Sequence, residues 1–320
     1  MLPTAADVDA AADRLRGVIV PTPLSRSAPL SALIGVEVWL KEEQRQRTGS
    51  FKLRGAYNAL ATLAPADRAR GVVASSAGNH GLGVAHAARA LGIRARIFVP
   101  ATAPAVKREG IAALGAEVDA TAPDYDAAHH AAERFAGSAG LAFVNPCAGE
   151  PLLAGQGTVA REILQARPTL RTLVVPVGGG GLVGGMAAWI RARAPGVRVV
   201  GVQSDQTDAM ARSLAAGRCV TVPVPPTLAD GLAGQIDDVG YAIGRASLDA
   251  IVTVTEAEIA AAIAWLARRH AARVEGSGAV AVAALLAGRI ADLAGPVAAV
   301  LSGGNIDPAR WKAIVSAAGR

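Results

Sequence analysis

Lysine is scarce in this chain: Lys41, Lys52, Lys107 and Lys312 stand against twenty-eight arginines. Arginine serves wherever a generic surface cation is needed, so the lysine inside Arg47–Ala56, which reads R-T-G-S-F-K-L-R-G-A, points to a specific use. A primary amine condenses with a carbonyl to give a Schiff base, and a guanidinium cannot. Apolar Phe51 and Leu53 flank Lys52, and Thr48-Gly49-Ser50 reads as a turn leading into a helix. That setting desolvates an amine, as a nucleophile or base requires. The alternative is a solvated cation on a helix face.

Three further stretches carry unusual chemistry. Gly178, Gly179, Gly180 and Gly181 stand between an apolar segment and an amphipathic one. Four bare amides opening a helix cradle an anion, and the helix dipole adds to the attraction; a tight turn that merely packs close is the alternative. Gly179, Gly181 and Gly184 also satisfy G-x-G-x-x-G. A dinucleotide, however, needs an acid ending the next strand, and Asp205 comes late, after Gln203-Ser204. The nucleoside-triphosphate motif G-x-x-x-x-G-K-[ST] does not occur. The run Ser75, Ser76, Ala77, Gly78, Asn79, His80 offers amides to a second anion, such as a substrate carboxylate. Asn79 presents a directional amide to a phenolic oxygen, or else caps a helix. Ser302-Gly303-Gly304-Asn305 places a hydroxyl where it can meet a ring nitrogen. Glu275 is either functional or an N-terminal helix carboxylate and nothing more. The spacings His80/His86 and His129-His130 make no metal site, so these histidines are expected to be satisfied or solvated, and no metal is expected.

The elements that must position these residues alternate. Apolar spacing predicts helices over 7–18, from the Lys52 stretch to about 63, 81–91, 105–114, 125–136, 157–165, from the tetraglycine to 193, 256–269, 277–286 and 308–317. Short apolar runs predict strands over 36–40, 72–74, 95–99, 117–120, 142–144, 173–177, 197–202, 250–254 and 297–301. Short buried strands between helices mean α/β, with parallel sheets covered on both faces. In such folds ligands sit beyond the carboxyl ends of strands, and all the loops named above lie there.

The 320 residues, 52% hydrophobic and 18% charged, suffice for one large domain or two small ones. No long uncharged apolar run or signal-peptide pattern occurs, so a soluble, cytoplasmic chain is expected. Cys147 and Cys219 lie outside any C-x-x-C, which suits a reducing compartment. The net charge of +6 comes from scattered arginines, and aromatics are only 3%, which argues against nucleic acid.

Taken together, Lys52, the S-A-G-N-H loop, the tetraglycine and L-S-G-G-N resemble one family over nearly the whole chain. It is the fold-type-II pyridoxal-phosphate enzymes, specifically the serine/threonine dehydratase and serine racemase group. The match extends to Lys41, Glu43, Gln46, Thr48–Lys52, Arg54-Gly55-Ala56, Ala154–Thr158, Ala229-Asp230-Gly231 and Glu275. The resemblance implies a tryptophan synthase β-like fold of two domains with parallel-rich sheets, a large one of residues 1–70 and 147–320 and a small inserted one of 71–146. It implies pyridoxal 5'-phosphate as cofactor, an amino-acid substrate and a homodimer or homotetramer. Lys52 would hold the cofactor and act as base, with Phe51 against the pyridine ring and Asn79 on the phenolic oxygen. Gly178–Gly181 would bind the phosphate, Ser302 the ring nitrogen, and Ser76–His80 the substrate carboxylate. The implied reaction is β-elimination from a β-hydroxy amino acid, L-threonine or L-serine first, to a 2-keto acid and ammonia.

Three departures bear on specificity. Racemases of the group carry a second serine where this chain has Ala77, which cannot carry a proton, so dehydration is favoured over racemisation. Their metal site uses an acid at the position of Gln203. Many threonine dehydratases have an aromatic and two aspartates where this chain has Cys147-Ala148-Gly149, which would enlarge the pocket toward phenylserine; 3-hydroxyaspartate is a further alternative. With only one helix after Asn305, the chain reads as catabolic. Competing readings are a nicotinamide oxidoreductase built on the tetraglycine, and a binding protein that keeps the fold, against which Lys52 argues.

Overall fold

Runs such as Val72-Val73-Ala74 and Val297–Leu301 offer no polar face, so they are satisfied only where both faces of a strand are covered. In the computed structural model, which describes residues 1–317, each lies inside a sheet and is buried along its length. The chain opens with α1 (Ala5–Leu15), β1 (Leu24–Arg26), α2 (Ala28–Ile34), β2 (Val38–Glu42), α3 (Lys52–Ala61) and α4 (Pro65–Arg70). There follow β3 (Val72–Ser75), α5 (Asn79–Leu91), β4 (Ala95–Pro100), α6 (Ala105–Ala112), β5 (Glu117–Ala122), α7 (Tyr125–Ala139) and β6 (Ala142–Phe143). Next come α8 (Glu150–Ala166), β7 (Thr172–Pro176), α9 (Gly181–Arg193), β8 (Arg198–Ser204), α10 (Ala209–Ala216) and α11 (Asp238–Ser247). The described chain ends with β9 (Ala250–Val254), α12 (Glu256–His270), α13 (Gly276–Leu286), β10 (Val297–Leu301) and α14 (Pro308–Ala317).

Two sheets result. The six-stranded one has the order β1-β2-β10-β7-β8-β9, and the four-stranded one β5-β4-β3-β6. Among the described strands only β1 runs antiparallel, against β2. The expected α/β class with parallel-rich, helix-covered sheets is what the chain adopts. Successive strand residues feed opposite cores, as the two-residue period of a strand requires. Val174, Val297 and Ala299 face α12 and α13, while Leu173, Val175, Ala298 and Val300 face α8 and α9. In the smaller sheet Val72 and Ala74 face α3 and α5, and Val73 faces α7.

Position in the larger sheet decides the function. The neighbours β2, β10 and β7 are parallel, so their carboxyl ends reach the same edge. Those ends lead into the Lys52 loop, Ser302–Asn305 and the tetraglycine respectively. Behind them α3, α8 and α9 stack backbone on backbone. A Cβ on Gly155 would lie 2.4 Å from the Arg54 carbonyl, and one on Gly157 2.6 Å from the Gly185 carbonyl. The helix carrying Lys52 and the helix opened by the tetraglycine are thus both seated on α8.

Several expected elements shift. The strand expected at 36–40 lies at Val38–Glu42. The helix expected from 157 begins at Glu150, with Pro151 in its first turn. Gly155 and Gly157 lie within this helix, where a Cβ would meet the backbones of α3 and α9 at the two close crossings. The helices α2, α4, α10 and α11 have no counterpart among the expected elements; α2, α4 and α10 are short, at seven, six and eight residues. No helix among the described residues is long and apolar enough to cross a membrane.

Candidate active site

Lys52 is the first residue of α3. The turn before it closes through Gly49 at φ +72°, where Asn305 packs against the backbone and donates from Nδ2 to the Thr48 carbonyl at 2.8 Å. Ser50 forms an antiparallel bridge with Gly303, the Phe51 amide donates to the Ser302 carbonyl at 3.1 Å, and the Gly304 amide to the Gly49 carbonyl at 2.9 Å. The Lys52 turn and the end of β10 are therefore stitched into one piece. Lys52 Nζ stands 5.2 Å from the Phe51 ring centroid and donates to the Pro146 carbonyl at 2.8 Å. A half-buried amine engaged by a neutral carbonyl rather than a carboxylate is available for chemistry.

Asn79 is not a helix cap. Gly78 holds that position, and Asn79 is the first residue of α5. Its Nδ2 donates to Glu275 Oε1 at 2.6 Å, and its Oδ1 accepts from Asn305 Nδ2 at 2.6 Å. Glu275, in turn, is at the N-cap of α13 by its backbone but makes no side-chain cap bond, so the reading of it as a helix carboxylate and nothing more does not hold. Burial, and then the Asp230 charge, push its carboxyl up to about 7 against the opposing Asn79 hydrogen bond. Asn79, Asn305 and Glu275 thus form a connected group beside the Lys52 turn.

The loop before Asn79 is shaped by Ser76, whose Oγ accepts from the Gly78 amide at 3.1 Å. Ala77 is half-buried within it. The His80 ring points away from that loop: Nε2 donates to the Val144 carbonyl at 2.9 Å, while Nδ1 is buried without a partner. Burial first, and the Lys52 charge second, push His80 down to about 3, so it is neutral.

Gly180 takes the left-handed conformation at φ +92° and opens α9, whose first amides have no partner within the helix. Cys147 closes one side of this cradle. A Cβ on Gly179 would lie 2.8 Å from Cys147 Sγ, and one on Gly181 2.9 Å from Cys147 Cα. Gly178 is walled by Leu232 in the same way. Pro146 receives Lys52 and its neighbour Cys147 packs against the tetraglycine, so amine and cradle are linked through two consecutive residues. Ser302 is buried, with only a 3.4 Å contact from Oγ to the Ser277 carbonyl. A lysine without an acidic partner, a cradle of bare amides at a helix N-terminus and a nearly unengaged buried hydroxyl fit pyridoxal phosphate.

His129, expected to be satisfied or solvated, is satisfied: its Nδ1 lies 2.8 Å from Ser75 Oγ, and its ring stacks on Tyr125 at 6.1 Å between centroids. One group has little sequence signal. Glu162 joins Lys41, Glu43 and Arg54 in a buried ionic cluster behind α3. Its only sequence signal is an acid beside the apolar residues Val159, Ala160, Ile163 and Leu164 of α8. Gln203, at the racemase metal position, accepts from the Ala211 amide at 2.9 Å.

Residues 15–303 match the family of pyridoxal-phosphate dependent enzymes. The L-threonine ammonia-lyase of Thermotoga maritima is 44% identical over 306 residues, which are 95% of this chain and 76% of that protein. The catabolic L-threonine dehydratase of Escherichia coli K12 is 38% identical over 307 residues, 95% of this chain and 93% of that one. Among solved structures, maize serine racemase superposes with a TM-score of 0.93 at 30% identity, covering 99% of this chain and 98% of its own.

Proposed function

The chain belongs to the pyridoxal-phosphate dependent enzymes, and from that premise we propose that it is a dehydratase of β-hydroxy-α-amino acids. L-Threonine and L-serine are the first substrates, giving a 2-keto acid and ammonia, in keeping with the activity named for its relatives. The observation that carries this reading is the delivery of lysine, serine and glycines to one sheet edge by β2, β10 and β7.

We assign Lys52 to hold the cofactor and to move the substrate's Cα proton. The Gly178–Gly181 amides bind the phosphate, Phe51 lies against the ring, Asn79 bonds the phenolic oxygen and Ser302 the ring nitrogen. The amides of Ser76–His80 receive the substrate carboxylate. Pyridoxal phosphate supplies, when bound, an electron sink for the charge left at Cα. Ala77 has no proton to return to the opposite face of Cα, so loss of the β-hydroxyl outruns racemisation. The four-stranded sheet is the core of a small domain, residues 71–146, inserted into a large one of 1–70 and 147–320.

The test is keto-acid release by the purified holoenzyme over L-threonine, L-serine, L-threo-phenylserine and 3-hydroxyaspartate, with borohydride fixation to locate the cofactor. Release from L-threonine or L-serine and a cofactor fixed on Lys52 are expected. Lys52→Ala should abolish both fixation and turnover; a Lys52→Ala protein that still fixes cofactor would sink the assignment.

A further inference from the structure

The side of α3 turned away from the site carries a buried cation. Residues along an α-helix are separated by about 100° each, so Arg54 projects roughly 200° around the axis from Lys52. Arg54 is 0% exposed, and its guanidinium is fully engaged. Nε and Nη2 fork onto Glu43 at 2.8 Å each, Nη1 reaches Glu162 at 2.6 Å and Thr158 Oγ1 at 3.1 Å, and Nη2 reaches Glu162 at 2.9 Å. Lys41, 1% exposed on β2, completes the group by donating to Glu162 at 2.5 Å and to the Thr22 carbonyl at 2.7 Å. The cluster holds two cations and two carboxylates, and it joins α3 to β2, to the turn after it and to α8.

Stability does not explain such a cluster, because burying four charges costs about as much in desolvation as their attraction returns. Orientation does. The first turn of α3 has no side-chain cap and no acidic residue, so the Arg54 fork anchors it from behind while Lys52 faces the site. We propose that Arg54 is the positioning residue of Lys52, and that the balance of two cations against two carboxylates keeps its fork closed on Glu43. The inference rests on the assignment of Lys52 as the cofactor-binding lysine.

The geometry makes the charge balance testable. Lys41 Nζ lies 3.9 Å from Glu43 Oε1, which is already bonded to Arg54. If Glu162 is neutralised, Glu43 is the only carboxylate left to both cations. Lys41 then competes with Arg54 for it, and the fork opens. Removing Lys41 as well eliminates the competitor and leaves a neutral Arg54–Glu43 pair.

The experiment compares Glu162→Gln, Lys41→Met/Glu162→Gln and Arg54→Lys holoenzymes with the parent. Each is measured for kcat and KM with L-threonine, for the pH midpoint of the bound cofactor's visible-edge absorbance, and for the lysine fixed by borohydride. Glu162→Gln is expected to lower kcat about tenfold or more, to leave KM within about threefold and to shift the midpoint. Adding Lys41→Met should recover about tenfold of that loss. Arg54→Lys keeps the charge but cannot fork, so it should show the kcat loss and shifted midpoint even if Glu162→Gln fails to fold. Parental kcat and midpoint in Arg54→Lys would overturn the inference, as would a double variant no better than Glu162→Gln. Fixation of the parent's cofactor on another lysine would instead overturn the Lys52 assignment, and this inference with it.

Discussion

Glu275 is 6% exposed and holds its proton to about pH 7, against an ordinary value of 4.5. A carboxyl whose folded value lies above its unfolded one binds a proton more tightly in the native state. Its contribution to stability is present below about pH 4.5 and is lost as pH rises through 7, a swing of roughly 3 kcal/mol. Glu275→Gln keeps an acceptor for Asn79 and cannot ionise. Its melting temperature should therefore fall less between pH 5 and pH 8 than the parent's; superimposable pH profiles would show that Glu275 does not titrate in this window. Ala77 supports a second residue-scale prediction. A positioned acid or base contributes about 10²–10⁴ in rate, so Ala77→Ser should raise D-amino acid formation relative to keto acid by tenfold or more. An unchanged ratio, read by chiral chromatography, would mean that another group limits proton return.

At the scale of elements, α8 separates what the sequence shows from what it hides. Strands β3, β7, β8 and β10 are legible because uninterrupted apolar runs have no other stable environment. The loops at their carboxyl ends are legible because glycine, serine and asparagine gather there. The first half of α8 is hidden, since Gly155 and Gly157 lower local helix propensity and their compensation lies in chains far away in sequence. Asn79 and Glu275 illustrate the same limit: a cap and a ligand require the same residue type, and only the partner distinguishes them. The crossing of α8 with α3 can be tested by a pair of substitutions. Gly155→Ala puts a methyl group 2.4 Å from the Arg54 carbonyl and 2.7 Å from Gly55 Cα. Backbone must move, so a loss of about 1–3 kcal/mol or more and weaker cofactor retention are expected. Gly137→Ala, within α7, meets nothing within 4 Å and should stabilise by about 0.5–1 kcal/mol. Equal effects of the two in thermal melts would show that the α3–α8 contact is looser than described.

For the molecule as a whole, the decisive feature is the place of β10 in the larger sheet. It pairs with β2 on one side and with β7 on the other. A chain ending at Pro296 should leave both edges unpaired, with Ser50 lacking its Gly303 bridge. It is expected to aggregate and to bind no cofactor; a soluble, yellow truncated protein would show that β10 is dispensable.

The same feature sets an order of events at the ribosome. Glu42 ends β2 long before Val297 begins β10, and translation at about 5–20 residues per second separates them by roughly ten to fifty seconds. From the completion of β7 at Pro176 until β10 follows, the nascent chain carries an open slot flanked by two apolar strands, a target for chaperones and for neighbouring chains. The four-stranded sheet, built from one continuous stretch of sequence, can close early. The lysine turn cannot, because β10, the strand it is stitched to, emerges after every other described strand. Cofactor capture would thus wait for the synthesis of β10, and a coloured protein would be one in which that strand has been threaded into place.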